Sequence, residues 1–254
     1  MIDFHCHLDL YKDPISLLPE VERRCEFVLA VTTSPRAWAK TSKVFQNTAC
    51  VKTALGLHPE ILADRISERN DLMNGIRQTP FIGEVGIDGS PQYADSKNLQ
   101  AEVLRDVIQE SEKCGGRVIS VHSRNAATKV LDIVERYSDK SIVVLHWFSG
   151  SAKELDRAIE LGVWFSVNPI MTFGNKGTGA IAKMPLTRVL PETDAPFAQN
   201  KGIPYMPWDT SIVIRQLAKL FDKEDTDIKN EITENLRRIL VFTQTLTNGV
   251  FEGK

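Results

Sequence analysis

Four cysteines in 254 residues, none in a CxxC pair, leave this sequence without a disulfide framework or a cysteine-type zinc motif. Cys6, Cys25, Cys50 and Cys114 fall in stretches that read as strand or helix and are expected to be reduced packing residues, Cys6 facing outward. No apolar run approaches the roughly 20 residues that span a bilayer. The first residues also lack the basic segment and apolar stretch of a signal peptide, so the expectation is a cytoplasmic protein with no membrane contact. Lys and Arg number 31 against 33 Asp and Glu, a formal net charge of −2, which excludes a broadly electropositive surface for long nucleic acid. An anionic substrate must be captured locally. No GxGxxG or GxxxxGK[ST] follows the first apolar run, which counts against a nucleotide-cofactor fold. Repeats, low-complexity tracts and interdomain linkers are missing too, and residues 1–254 read as a single domain.

What the sequence has is alternation. β-rich apolar runs occur at 2–7, 26–33, 51–58, 81–88, 117–123, 141–148, 163–170 and 187–194, with amphipathic stretches between most of them. The clearest helical patterns span 96–114, 125–137 and 151–162, with Asn125 and Ser151 as candidate caps and Gly162 as a stop. Wholly apolar strands separated by helices indicate a parallel sheet covered on both faces. Eight such units in about 250 residues match a single α/β barrel of the (β/α)8 TIM type, with a doubly wound open sheet as the alternative. Residues 195–209 read as a Pro-rich surface loop, and helices at 209–222 and 225–240 close the pattern across the solvated acidic run DKEDTD.

Histidine is scarce and carefully placed. All five, His5, His7, His58, His122 and His146, lie in or at the end of an expected strand. With Glu84 in FIGEVG and Asp194 in ETDAP, six of the eight strands end in a titratable group, at the end where barrel active sites lie. Alternation along a strand puts His5 and His7 on one face. An HxH pair alone also fits two solvated histidines, and a lone Glu84 or Asp194 fits a cap or ion pair. Seven ionisable groups at one mouth, however, carry a desolvation cost that divalent cations would relieve. His5, His7 and Asp194 suit one ion, His122 and His146 a second, and Glu84 the bridge, in a donor set compatible with zinc, manganese or magnesium. Two ions about 4 Å apart activate water and clamp the oxygens of a phosphoryl displacement. Asp194, with Glu84 the candidate catalytic carboxylates, can orient that water or accept its proton. Asp9 and Asp88 are candidates to support histidines or to cap the rim, and Trp147 and Phe148 to stack a base or to pack beneath the following loop.

Seven segments then carry a resemblance: DFHCHLD (3–9), GLHP (56–59), GEVGID (83–88), VHSR (121–124), HWFSG (146–150), ETDAP (192–196) and TENLRRIL (233–240). In this order they resemble the TatD-type metal-dependent deoxyribonucleases, a branch of the amidohydrolase-like barrels. The resemblance implies hydrolysis of DNA phosphodiesters, commonly from a 3′ end, with divalent ions. It implies His5, His7, Glu84, His122, His146 and Asp194 as metal ligands, and His58 and Arg124 as residues near substrate phosphate. Two departures stand out: Glu60 follows GLHP where many relatives have an aromatic or His, and FAQNKGIPYMPWD (197–209) replaces a basic segment. The same two features are similar to the QatD component of Qat anti-phage systems, which implies a defence role and companion proteins. The expectation is a DNA exonuclease acting on single-stranded or frayed 3′ ends. A small-molecule amidohydrolase or esterase with the same two-ion site, and a scaffold subunit, are the alternatives.

Overall fold

The apolar runs form eight parallel strands: β1 (Ile2–Cys6), β2 (Phe27–Val31), β3 (Val51–Ala54), β4 (Phe81–Gly86), β5 (Val118–His122), β6 (Ile142–His146), β7 (Trp164–Val167) and β8 (Val189–Pro191). They are seen in a computed structural model that describes residues 1–248; the last six residues of the expected 1–254 domain lie outside the described residues. Strands β1 to β3 form one sheet and β4 to β8 another, each in sequence order. Backbone hydrogen bonds join the two sheets at both seams. At one, Leu55 bridges Ile82 and the Gly83 N–H donates to the Leu55 carbonyl at 2.8 Å. At the other, the Asp194 N–H donates to the His5 carbonyl and the His7 N–H to the Ala195 carbonyl, both at 2.8 Å. Beneath that seam, Asp3 accepts from the Thr193 N–H at 2.9 Å and its hydroxyl at 2.6 Å. The result is the α/β arrangement of TIM type.

Helices cover the strands: α1 (Pro14–Arg24), α2 (Pro35–Phe45), α3 (Arg69–Gly75), α4 (Lys97–Lys113), α5 (Ala127–Tyr137), α6 (Ala152–Glu160), α7 (Asn175–Ile181), α8 (Ser211–Phe221) and α9 (Asp225–Asn248). Most strand residues are buried on both faces, the main exception being β3, where Lys52 is exposed and Thr53 half-buried. Cys6 packs with Val21, Cys25 and Phe45, against α1 and α2, the outward position expected of it. Among the described residues no helix is long and apolar enough to cross a membrane.

Several local expectations change. Ser151 does cap α6, in a capping box with Glu154. Asn125 does not cap α5: its φ of +52° is left-handed, a cap needs an extended backbone, and its side chain instead donates to Ser90 Oγ at 3.3 Å. Residues 195–209 are not a plain surface loop. They contain a hairpin of β9 (Gln199–Asn200) and β10 (Ile203–Pro204), and bury Ala195, Ala198 and Tyr205. Lys201 and Gly202, at φ +51° and +82°, supply the two positive-φ positions that such a two-residue hairpin turn needs. Helix α9 runs eight residues past the expected 240, with no glycine or proline to stop it before Gly249. Its buried Asn235, from the TENL segment, donates to the carbonyls of Leu186 at 2.8 Å and Val189 at 2.7 Å, tying the helix to the start of β8.

Candidate metal centre

The titratable residues singled out in the sequence converge at the carboxyl ends of the strands. Two motif glycines allow it. A Cβ on Gly86 would lie 2.1 Å from the His122 carbonyl, and one on Gly56 would lie 2.0 Å from the Thr32 carbonyl and 2.4 Å from the Glu84 amide. Only glycine lets β4 approach its neighbours so closely at these points. Glu84 is thereby held at the centre, 1% exposed.

The two carboxylate oxygens of Glu84 face different histidines. Oε2 lies 3.1 Å from His7 Nε2 and 3.3 Å from His5 Nε2. Oε1 lies 2.7 Å from His122 Nδ1, 2.8 Å from His146 Nε2 and 3.2 Å from His58 Nε2. Asp194 Oδ1 completes the first group, 3.5 Å from His5 Nε2 and 3.8 Å from His7 Nε2. The His5 and His146 rings stack with centroids 4.0 Å apart.

Three of the imidazoles are oriented from behind. His5 Nδ1 meets Ser120 Oγ at 2.8 Å, which points Nε2 into the centre. His122 Nε2 meets Asp88 Oδ2 at 2.8 Å, leaving Nδ1 toward Glu84. His58 Nδ1 accepts the Glu60 N–H at 3.1 Å, so Nε2 faces inward. Such partners fix ring orientation in metal sites. His5 Nε2 is the sharpest sign of a missing partner: buried, close to two carboxylates, it has no hydrogen bond among the described residues. A buried imidazole nitrogen left in that state is costly unless a cation takes its lone pair. The residues fit a divalent ion. Donor atoms of His5, His7 and Glu84 lie close enough together to hold one, as do those of His58, Glu84 and His122.

The charges agree with that reading. Burial raises the Glu84 pKa, but His58, His146 and His122 outweigh it and hold the carboxyl well below its usual range. Asp194 moves the opposite way: burial pushes it well up, and Glu84 and Glu192 add to this against the pull of His146. Burial, reinforced by His146, brings His5 down to about 4, leaving a neutral imidazole at pH 7. Burial also disfavours charge on His146, yet Glu84 and Glu192 hold its pKa well above the ordinary value. The centre thus collects positive charge around Glu84 from its own histidines, the compensation a divalent cation provides more strongly.

A cavity of about 550 Å³ opens onto this centre. Arg124 is exposed at its wall and is, among the described residues, the one Lys or Arg in the lining. Glu60 lines it too, accepting the Tyr93 hydroxyl at 3.0 Å. Trp147 faces the cavity, whereas Phe148 is buried in the core, which separates the two aromatic candidates. Asp88 supports His122, while Asp9 accepts the Thr41 hydroxyl at 3.2 Å away from the centre.

Sequence reasoning missed three participants. Glu192 is fully buried, 3.8 Å from His146 Nδ1, and groups with His5 and His146 as a third set of possible ligands. The signal was its place two residues before Asp194, directly after the end of β8. Phe197, 59% exposed, lines the cavity and sets its ring edge-on to His7 at 5.0 Å. Ser120 had no signal, since serine in an apolar strand is ordinary.

Comparison with known proteins follows the same line. The family model for TatD related DNase matches residues 2–241. An uncharacterized metal-dependent hydrolase of Buchnera aphidicola is 29% identical over 216 residues, 78% of this chain and 81% of its own. The human deoxyribonuclease TATDN3 is 24% identical over 261 residues, 94% of each chain. The crystal structure of YjjV, a TatD homolog from Escherichia coli K12, shares the fold with a TM-score of 0.84 at 24% identity, over 94% of this chain and 97% of that one.

Proposed function

The chain belongs to the TatD-related DNase family of metal-dependent hydrolases, and on that premise we propose that it removes nucleotides from single-stranded or frayed 3′ ends of DNA using two divalent ions. The observation that carries this reading is the division of Glu84, whose two oxygens address two separate histidine groups. His5, His7 and Asp194 would hold one ion and His122 and His146 a second, with Glu84 contributing to each. When bound, zinc, manganese or magnesium there supplies Lewis-acid polarisation of a phosphoryl oxygen and activation of water. Asp194, beside His5 and His7, would orient the water and accept its proton. His58 and Arg124 hold the substrate phosphate at the cavity wall.

The cavity volume suits the end of a strand and not a duplex. The name of the human relative supports DNA as the polymer. The whole chain acts as one catalytic unit. On the GLHPE segment and the altered stretch after ETDAP, its setting is anti-phage defence beside companion proteins. The test is stepwise shortening of 5′-labelled single-stranded DNA with each metal in turn. We expect a ladder of products shortened from the 3′ end. Intact DNA together with turnover of a lactone, amide or phosphotriester panel would instead assign the small-molecule reaction.

A further inference from the structure

A second open groove, of about 570 Å³, lies on the same face of the fold beside the metal centre. The two share a wall. The single turn Pro59–Ile61 places Glu60 in the cavity and Ile61 in the groove, and the His58 N–H donates to the carbonyl of Thr33, which lines the groove, at 2.9 Å. Asp9, two residues after His7, lines it on the other side.

The groove carries the positive charge that the cavity lacks. Arg36 and Lys40, on α2, and Arg65 line it, and all three are exposed. Arg65 is partly neutralised by Glu68 at 3.4 Å, whereas the side chains of Arg36 and Lys40 form no ion pair among the described residues. Among the described residues the one carboxylate in the lining is Asp9, whose Oδ2 accepts from the Thr41 hydroxyl at 3.2 Å while its Oδ1 has no hydrogen-bond partner. Val44, 47% exposed, follows Lys40 one turn further along α2, and Ile15, 62% exposed, lines the groove from α1. Unpaired cations beside exposed apolar side chains suit a flexible polyanion with apolar faces, which describes a single nucleic-acid strand.

We propose that this groove is a strand-binding subsite, holding the backbone phosphates of a single-stranded polynucleotide whose end occupies the metal centre. The inference rests on the phosphodiesterase reading above and adds to it a residue-level basis for preferring longer strands. Arg36 and Lys40 take phosphates, Ile15 and Val44 take bases, and the wall at Pro59–Ile61 separates the reacting end from the held strand.

The experiment is equilibrium binding of fluorescent dT12 and dT2 at several salt concentrations, in an Asp194→Asn background that keeps the DNA intact. Adding Arg36→Ser with Lys40→Ser should weaken dT12 on the order of tenfold and reduce its log–log salt slope by about 1.4, the sum of two single-strand contacts. Binding of dT2 should not change. Unchanged dT12 affinity, equal loss for both ligands, or equal displacement of dT12 by a twelve-residue poly-Glu peptide would each overturn the subsite. Failure of the unmutated protein to shorten DNA would overturn the nuclease reading alone, since binding is read separately.

Discussion

The Trp147 N–H donates to Glu192 Oε1 at 3.0 Å, joining the end of β6 to the end of β8. Trp147 has a φ of +39°, a left-handed conformation that costs a side-chain-bearing residue about 1–2 kcal/mol. The buried carboxylate offsets that cost, and the turn it holds presents His146, the preceding residue, to Glu84 at 2.8 Å. A carboxylate that looks like one more candidate ligand thus also shapes the backbone that aims a histidine.

On the two-ion proposal, removing the charge of Glu84 should affect both ion positions. Glu84→Gln is expected to lower metal content at both, whereas His122→Ala, which touches only one group, should leave about one ion per chain. Elemental analysis of the purified variants distinguishes them. Equal and full occupancy in both would end the bridging assignment.

Asp194→Asn preserves shape and removes a proton acceptor. Turnover should fall by at least ~100-fold, the scale of lost acid–base assistance, while the thermal midpoint stays near that of the unmutated protein. Wild-type turnover by the folded variant would remove Asp194 from the chemistry.

Far from the centre, Glu154 makes stability depend on acid. Burial raises its pKa, but hydrogen bonds from Thr128 and Ser151 outweigh that and bring it to about 2 from an ordinary 4.5. A folded-state pKa depressed in this way contributes stability above about 4.5 that is lost as pH falls toward 2. Glu154→Gln should thus cost roughly 1 kcal/mol at pH 7 and progressively less below pH 4.5, seen as converging urea midpoints. A gap that stays constant from pH 7 to pH 3 would show that the charge is irrelevant.

Asn235 gives a test at the opposite end of the strands. Asn235→Ala leaves the Leu186 and Val189 carbonyls without their donor, which should cost about 1–3 kcal/mol in denaturant unfolding. Metal content at saturation should not change. A loss of metal without a loss of stability would mean that α9 acts on the centre directly.

Most strands were legible because a strand buried on both faces is largely apolar, β3 with its exposed Lys52 being the weakest such run, and the candidate ligands because they punctuate those runs. Other features were hidden for physical reasons. The bond between Glu192 and Trp147 runs to a backbone N–H, which every non-proline residue has. The hairpin at 199–204 turns on Lys201, where Asn or Asp would have signalled a positive φ. Asn125 looked like a cap because its residue type favours caps, but the same short side chain tolerates the left-handed turn it occupies. The basic groove was invisible because Arg36 and Lys40 alone read as a solvated helix face, and Arg65 and Ile15 join them only in the fold.

Asp3 and Thr193, hydrogen-bonded across the seam between β1 and β8, are 190 residues apart in the chain. Synthesis therefore delivers His5 and His7 at the outset and Asp194 only when three quarters of the polypeptide already exists. Closing so long a loop is entropically late and kinetically slow, so the seam is among the last pairings to form. A chain terminated before β8 would carry all five imidazoles but neither Glu192 nor Asp194, and the edge of β1 would be open to other strands. Competence is in this sense a proof of completeness: the fold issues no working centre to a fragment.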